Sequence, residues 1–345
     1  MKASLIAFSR RGLALAQKIA ANLPQEYGDT ADVSACFGEK KVDLHAFTRQ
    51  AFAESDLLVF VGAAGIAVRA IAPYIHSKLT DPAVVSVDDG AQFCIPLLSG
   101  HIGGANRFAR RIAEITGAVA VVTTATDVHG LFAVDDWAAR QGYFLENPGA
   151  AKRISANLLA GKPVGVCCDF PLEGNLPAGV IQGKFPPDFR VTLHTGEGDP
   201  EILHIVPPFA VLGIGCRKQT PAEKIEQAFS SFCRENRLSP HAFSRVCSID
   251  LKQKEAGILS FCSQHGLEFV TYSAQQLAAL QGAFTSSAFV SKVTGVDNVC
   301  ERAAVLGAGS GGKLLVKKTV FEGVTLAAAV TAQTVCFHLE TEKPV

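Results

Sequence analysis

Charge is scarce in this 345-residue sequence: Asp, Glu, Lys and Arg supply 19% of the residues, and 32 basic side chains balance 32 acidic ones to a formal net charge of zero. A protein that holds nucleic acid through its phosphates needs a basic surplus, so nucleic acid is excluded as the main partner. Long apolar runs are missing as well. No stretch approaches the ~20 residues that cross a bilayer. The apolar N-terminal run, residues 3–8, meets Arg10 and Arg11 without the long core and cleavage site of a secretory signal. A cytoplasmic location with no membrane partner is expected. The ten cysteines contain no Cys-x-x-Cys pair, which argues against a zinc site or a disulfide framework. No protein metal site is expected. A G-x-S-x-G nucleophile elbow is also absent. What is plentiful is apolar residue (48%) and glycine (31 positions), the composition of a folded enzyme or small-molecule binder.

Apolar runs of strand length at 4–8, 57–61, 83–87 and 118–122 alternate with helical patterns over 13–23, 62–71 and 104–115. Asp89-Gly90 marks a hairpin turn into 92–95. Buried strands between helices predict a largely parallel sheet covered on both faces. Residues 131–205 differ, with helices near 135–141 and 150–159, a strand at 164–167, and a Pro/Gly-rich stretch over 171–187 before weak strands at 190–193 and 202–206. Pro207-Pro208 is the sharpest boundary. The α/β pattern then restarts at Phe209. A strand over 211–215 leads to Thr220-Pro221-Ala222-Glu223, which reads as a capping box with Thr220 as N-cap. Strands follow at 246–249, 268–271 and 313–316, with helices over 252–263, 273–280 and 298–306 and a hairpin at Glu322-Gly323. The glycine-rich run 307–312 reads as a flexible loop. The expected fold class is α/β: two α/β lobes with mostly parallel sheets, at 1–130 and 208–345, joined by a smaller middle α+β domain at 131–207.

Four loops gather glycine and polar residues where predicted strands end, the place where open α/β sheets bind ligands. In the first, Gly62 and Gly65 sit at a strand-to-helix turn where backbone N–H groups can approach an anion, with Arg69 in reach. It is not G-x-G-x-x-G, and no acidic residue follows suitably ~20 positions on, so a nicotinamide-type dinucleotide site is disfavoured. A plain tight turn is the other reading. The second loop holds Ser99, His101 and Asn106 among Gly100, Gly103 and Gly104. Histidine is the natural acid–base group near neutral pH, and Ser or Asn can orient water or an oxyanion. The third carries Thr124, Thr126 and Asp127, a second acid–base candidate or a helix cap. In the fourth, Gly213-Ile214-Gly215-Cys216-Arg217-Lys218 offers two cations for a carboxylate, and Cys216 lacks a nearby histidine to activate it. Lys252 and Glu255 open the predicted helix at 252, with Asp250 as a candidate cap, and read equally as ligand groups or as an exposed first turn; Glu301 on a later helix carries the same two readings.

These strings, in this order, resemble the CbiG family of anaerobic cobalamin biosynthesis, the cobalt-precorrin-5A hydrolases. The matching stretches run from Val61-Gly62-Ala63-Ala64-Gly65-Ile66-Ala67-Val68-Arg69 through Ser77-Lys78 and Asp81-Pro82. They continue through Leu98-Ser99-Gly100-His101-Ile102-Gly103-Gly104-Ala105-Asn106 to Thr123-Thr124-Ala125-Thr126-Asp127. Further marks, from Gly213 to Lys218, at Ser248-Ile249-Asp250-Leu251-Lys252 and at Glu301, resemble the CobE proteins. Asp297-Asn298 and Arg302 depart from the small residues usual there. The resemblance implies hydrolysis of cobalt-precorrin-5A, with opening of a δ-lactone and loss of acetaldehyde to give cobalt-precorrin-5B. Cobalt would arrive within the tetrapyrrole substrate, with no cofactor of the protein's own. A non-catalytic tetrapyrrole carrier of the same pathway is the alternative. A homodimer and transient contact with pathway methyltransferases are further expectations. On residue chemistry, His101 is expected as acid–base, Ser99 and Asn106 as orienting groups, and Asp127 as the second acid–base group. Gly62, Gly65, Arg69, Lys78, Gly103, Gly104, Thr124, Gly215, Arg217, Lys218 and Lys252 are expected to bind substrate.

Overall fold

The computed structural model describes residues 1–23, 30–77, 80–196, 200–286, 292 and 294–337. The chain forms two compact units, Met1–Asp136 and Trp137–Val345.

In the first unit the order is β1 (Ala3–Ala7), α1 (Arg10–Asn22), β2 (Ala31–Ala35), α2 (Leu44–Glu54), β3 (Leu57–Val61), α3 (Ala64–Ile71), β4 (Ala83–Val87), β5 (Phe93–Leu98), α4 (Ala105–Thr116), β6 (Val119–Ala120), a single turn α5 (Ala125–Val128), and α6 (Val134–Arg140), which continues into the second unit. The sheet order is β2-β1-β3-β4-β5-β6. Its first four strands are parallel, β5 is antiparallel to β4, and β6 is parallel to β5. All five residues of β3 are buried because side chains alternate between two covered faces. Leu57, Val59 and Val61 meet Ala16 and Ile19 of α1 and Phe108 and Ile112 of α4. Leu58 and Phe60 meet Phe52 of α2 and Ala67 and Ile71 of α3.

The run at 118–122 is not the buried strand its composition predicts. Only Val119 and Ala120 pair, at the sheet edge, and Val119 is 61% exposed. An edge position covers one side only, so apolar content there does not require burial.

The second unit holds two five-stranded sheets. The first is built from β7 (Phe144–Leu145), α7 (Ala151–Leu159), β8 (Val164–Cys168), β10 (Val180–Gln182), β11 (Phe189–Val191) and β12 (Leu203–Val206), with β9 (Leu172–Glu173) lying outside it. Its order is β10-β8-β11-β12-β7, parallel apart from β7. The second comprises β13 (Ala210–Cys216), α8 (Ala222–Asn236), β14 (Phe243–Ile249), α9 (Ala256–His265), β15 (Glu268–Tyr272), α10 (Ala274–Ala279), α11 (Cys300–Gly307), β16 (Lys313–Phe321) and β17 (Val324–Val330), in the order β15-β14-β13-β17-β16. Here β13, β14 and β15 are parallel, whereas β17 runs against both β13 and β16. A last strand, β18 (Val335–Cys336), pairs with β9. Trp137 is fully buried, stacks on Phe337 at 4.6 Å and donates its indole N–H to the Cys336 carbonyl at 3.0 Å.

Three local readings change. The helix after β13 starts one residue later than the capping box implies, with Pro221 as N-cap, because the Thr220 hydroxyl donates instead to the Arg217 carbonyl at 2.9 Å. The segment 250–252 is a separate 3₁₀ turn, and α9 begins only at Ala256, so Asp250 does not cap it. The run 307–312 closes through hydrogen bonds from Gly309 to Leu306 and from Gly312 to Gly309, and a side chain at Gly307 would collide with Cys247 Sγ. Its glycines serve turns and close packing. No described helix is long and apolar enough to cross a membrane.

Candidate active site

The histidine loop is shaped by its glycines. A Cβ at Gly100 would stand 2.8 Å from Asn106 Oδ1, and one at Gly103 would run into Ser99 Cβ. Gly104 adopts φ +82°, a left-handed conformation that favours glycine, as it turns the chain into α4. Ser99 itself holds φ 56°, uncommon for a residue with a side chain. Its buried hydroxyl donates to the Asp81 carbonyl at 2.9 Å, and its carbonyl accepts from Ala105 N at 3.0 Å. Ser99 therefore folds the loop, and its hydroxyl does not join the hydrogen bonds of His101.

His101 is brought against the α5 turn. Its Nε2 lies 3.1 Å from Asp127 Oδ2 and 3.1 Å from Thr126 Oγ1, and its Nδ1 lies 3.6 Å from Asp135 Oδ1. Asp127 is the hub. Its Oδ2 also accepts from Asn106 Nδ2 at 3.0 Å and from the Thr124 hydroxyl, and its Oδ1 accepts from Arg110 at 2.6 Å. Asn106 and Arg110 are four apart on α4, which places them on one helix face. Asn106 is almost wholly buried and donates to Thr124 Oγ1 as well, at 2.9 Å.

The electrostatics follow from these contacts. The Asp127 carboxylate first, and Asp135 second, raise the His101 pKa to about 10 against the opposing effect of burial. His101 is thus an imidazolium at neutral pH. Burial alone would raise the Asp127 carboxyl, but hydrogen bonds from His101, Thr124 and Arg110 outweigh it and hold that carboxyl well below the usual range. Asp127 is a fixed anion and a weak base. Sequence reasoning finds His101, Asn106, Thr124 and Asp127, all of which the fold brings together. It misses Arg110 and Asp135, and it offers Thr126 only as a helix cap. The i, i+4 spacing from Asn106 could have pointed to Arg110; nothing local points to Asp135.

The other expected ligands of this unit fall elsewhere. Leu98 pairs with Val84 at the start of β4, while Val61 pairs with Val87 at its end. The Gly62 turn and the loop after β5 therefore lie at opposite ends of the sheet, about 13 Å apart along the strands. Gly62 N donates to the Val87 carbonyl at 2.8 Å, and a side chain there would press on Phe8, so this glycine serves a tight turn. Gly65 lies inside α3, and Arg69 is exposed with one long 3.5 Å bond to the Gly65 carbonyl. Lys78 lies outside the described residues. The segment beside it is anchored by Asp81, which accepts from His76 N and Ser77 N at 3.0 Å, next to the carbonyl that holds Ser99.

Comparison with known proteins shows which family this cluster belongs to. The Cobalamin synthesis G N-terminal family matches residues 46–127, the Cobalamin biosynthesis central region 132–214, and the Cobalamin synthesis G C-terminus 210–329. A cobalt-precorrin-5A hydrolase from Salmonella typhimurium is 33% identical over 95% of this chain and 97% of its own length. The chain belongs to the CbiG family. A cobalt-precorrin-5A hydrolase from Priestia megaterium is 34% identical over 76% of this chain and 75% of its own. Protein CobE of a Sinorhizobium species is 32% identical over 34% of this chain and 78% of its own.

The C-terminal marks of the CbiG family gather at the carboxyl ends of β13 and β14. Lys252 Nζ pairs with Glu255 Oε2 at 2.9 Å, both side chains being largely buried, and Glu255 Oε1 accepts from Gln219 N at 2.5 Å. Burial raises the Cys216 thiol, partly countered by Lys252, so it is a neutral thiol rather than an activated nucleophile. Arg217 and Lys218 are exposed. A Cβ at Gly215 would meet Thr325 Oγ1 at 2.7 Å, which assigns that glycine to strand packing. Glu301 is fully buried and accepts from Thr285 N, Thr285 Oγ1 and Lys318 N at 2.7–2.8 Å. The departures from the family pattern form a network of their own. Arg302 binds Asp297 Oδ1 at 2.9 Å and the Leu277 and Leu280 carbonyls, and Asn298 accepts from Glu301 N at 2.8 Å.

Proposed function

We propose that this chain hydrolyses cobalt-precorrin-5A, opening its δ-lactone and releasing the two-carbon fragment as acetaldehyde to give cobalt-precorrin-5B. The observation that carries this reading is the 33% identity, over 95% of the chain, to a relative named cobalt-precorrin-5A hydrolase. The Asp127–His101–Asp135 cluster supplies chemistry that suits it. Water adds to the lactone carbonyl, giving up one proton to solvent, and the ring C–O bond breaks, leaving a carboxylic acid and an alkoxide on the two-carbon arm. The alkoxide closes to the aldehyde as the carbon–carbon bond breaks, and its electron pair stays on the macrocycle, where a proton completes the balance. Oxygen carries negative charge twice along this path, and a fixed cationic donor stabilises it.

His101 fits that role as hydrogen-bond donor and acid; as an imidazolium it is no base. Asn106 and Thr124 orient Asp127, and Arg110 shares its charge. Arg69 is an exposed cation of the first unit, at the other end of the sheet from His101; in the second unit Arg217 and Lys218 are exposed, while Lys252 is already paired with Glu255. Cobalt is carried by the substrate, and no cofactor of the protein's own is invoked.

The test is acetaldehyde release from cobalt-precorrin-5A by the purified chain. His101→Ala is expected to lower the rate by about 10²–10⁴-fold with the far-ultraviolet circular dichroism unchanged. A chain that binds the tetrapyrrole and never forms acetaldehyde is a carrier instead.

A further inference from the structure

We propose that Asp135 is a positioning residue for His101, which it and Asp127 grip by opposite ring nitrogens so that the ring is held as a fixed two-donor cation. Asp135 is 5% exposed, and its Oδ1 stands 3.6 Å from Nδ1, longer than a hydrogen bond, so it acts on the ring by charge. Asp127 faces Nε2 at 3.1 Å. A neutral imidazole carries one N–H and one lone pair. With a carboxylate facing each nitrogen, either neutral tautomer would direct its lone pair at a negative charge. Only the doubly protonated ring suits both faces.

The two carboxylates come from different elements, Asp127 from α5 and Asp135 from α6. Of the other groups around the ring, Arg110 of α4 bears on Asp127 and Thr126 is a neutral contact at Nε2. Asp127 already accepts from Asn106, Thr124 and Arg110, so it alone would leave Nδ1 free to shed its proton. Asp135 is the group that forbids this. It also lies beyond the matched N-terminal region, which ends at residue 127, and within the central one, which starts at 132. The N-terminal region by itself would therefore hold the histidine with one of its two anions. What the held cation then does in turnover rests on the hydrolase reading; how it is held does not.

The experiment is nitrogen-15 NMR titration of the His101 ring in the full-length free protein, wild type against Asp135→Asn and Asp135→Glu. Asp135→Asn keeps the shape and removes the charge, and is expected to lower the His101 midpoint by at least about one pH unit. Asp135→Glu is expected to recover at least half of that fall. In the same preparations, the alkaline fall of kcat for acetaldehyde formation should move to lower pH in Asp135→Asn by the same interval as the His101 midpoint, with KM held within about twofold. A His101 midpoint in folded Asp135→Asn within about 0.3 pH units of wild type overturns the positioning role, whatever the activity. A shifted midpoint in a chain that never forms acetaldehyde keeps the positioning role and overturns the hydrolase reading alone.

Discussion

Asn106 and Asp127 stand 21 positions apart in the chain, yet the Asn106 amide donates to Asp127 Oδ2 at 3.0 Å from an almost wholly buried side chain. The same amide donates to Thr124 Oγ1 at 2.9 Å, so one residue on α4 fixes both ends of the short turn that carries the carboxylate.

Asn106→Ala should therefore cost about 1–3 kcal/mol of stability, because it empties a buried position and takes one donor each from the half-buried Thr124 Oγ1 and Asp127 Oδ2. Asn106→Asp sets a second carboxylate against Asp127 and should be worse at pH 8 than at pH 4, where the new acid can protonate. Urea denaturation at both pH values measures this. Equal stability of Asn106→Asp at the two pH values would contradict the proximity.

The His101–Asp127 pair makes stability depend on pH in a defined direction. His101 titrates near 10 in the folded state, above its ordinary value near 6.5. Its contribution is complete below about 6.5 and is lost as pH rises through about 10. Asp127 is held below its ordinary value, so its contribution is present above about 3.9 and is lost on further acidification. The stability gap between wild type and His101→Gln should accordingly narrow between pH 6.5 and pH 10. Denaturant midpoints across that range check it, and a constant gap sinks the assignment of His101 as a folded-state cation.

The members of this cluster differ in how legible they were in the sequence, for physical reasons. His101, Asn106 and Asp127 stand out because each sits beside glycine or threonine where a strand ends, and loop chemistry is local. The strands β1, β3 and β4 were equally plain, since burial on both faces demands an unbroken apolar run. Asp135 was not legible. Its partner lies 34 positions earlier, and only the paths of α4, α5 and α6 bring it to Nδ1. Nor does composition reveal direction. Because β5 runs against β4, the Gly62 turn and the His101 loop, similar in their glycines, end up at opposite ends of one sheet. Ser99 stands apart for a related reason: its backbone is left-handed, and its hydroxyl donates to the Asp81 carbonyl instead of joining the hydrogen bonds of His101.

Gly103 tests whether the loop's shape matters as much as its histidine. A methyl group there has no space beside Ser99 Cβ and stands 2.9 Å from the Ser99 carbonyl, which Ala105 N needs for its hydrogen bond. Gly103→Ala should push the loop away from α5, costing about 1–3 kcal/mol of stability. It should lower acetaldehyde formation at least about tenfold by displacing His101. The His101 ring signals should also move toward an ordinary imidazole. A variant with unchanged turnover and unchanged ring shifts would show that the loop tolerates the collision.

In the second unit, Lys252 is the cation that both pairs with Glu255 and lowers the Cys216 thiol. Lys252→Met removes that charge while keeping most of the side-chain volume. Glu255 is then left largely buried with Gln219 N as its remaining partner, so stability should fall by about 1–3 kcal/mol, less than for a fully sealed pair. The thiol responds in a direction that separates charge from packing. Losing a nearby cation raises the Cys216 pKa and shrinks its thiolate fraction, so alkylation by iodoacetamide at pH 8 should slow. Simple loosening of the site would expose the sulfur and speed it. Mass spectrometry of the peptide containing Cys216, sampled over time under native conditions, distinguishes the two. Lys252→Arg should keep the wild-type rate within about twofold, because it restores the charge at the same place.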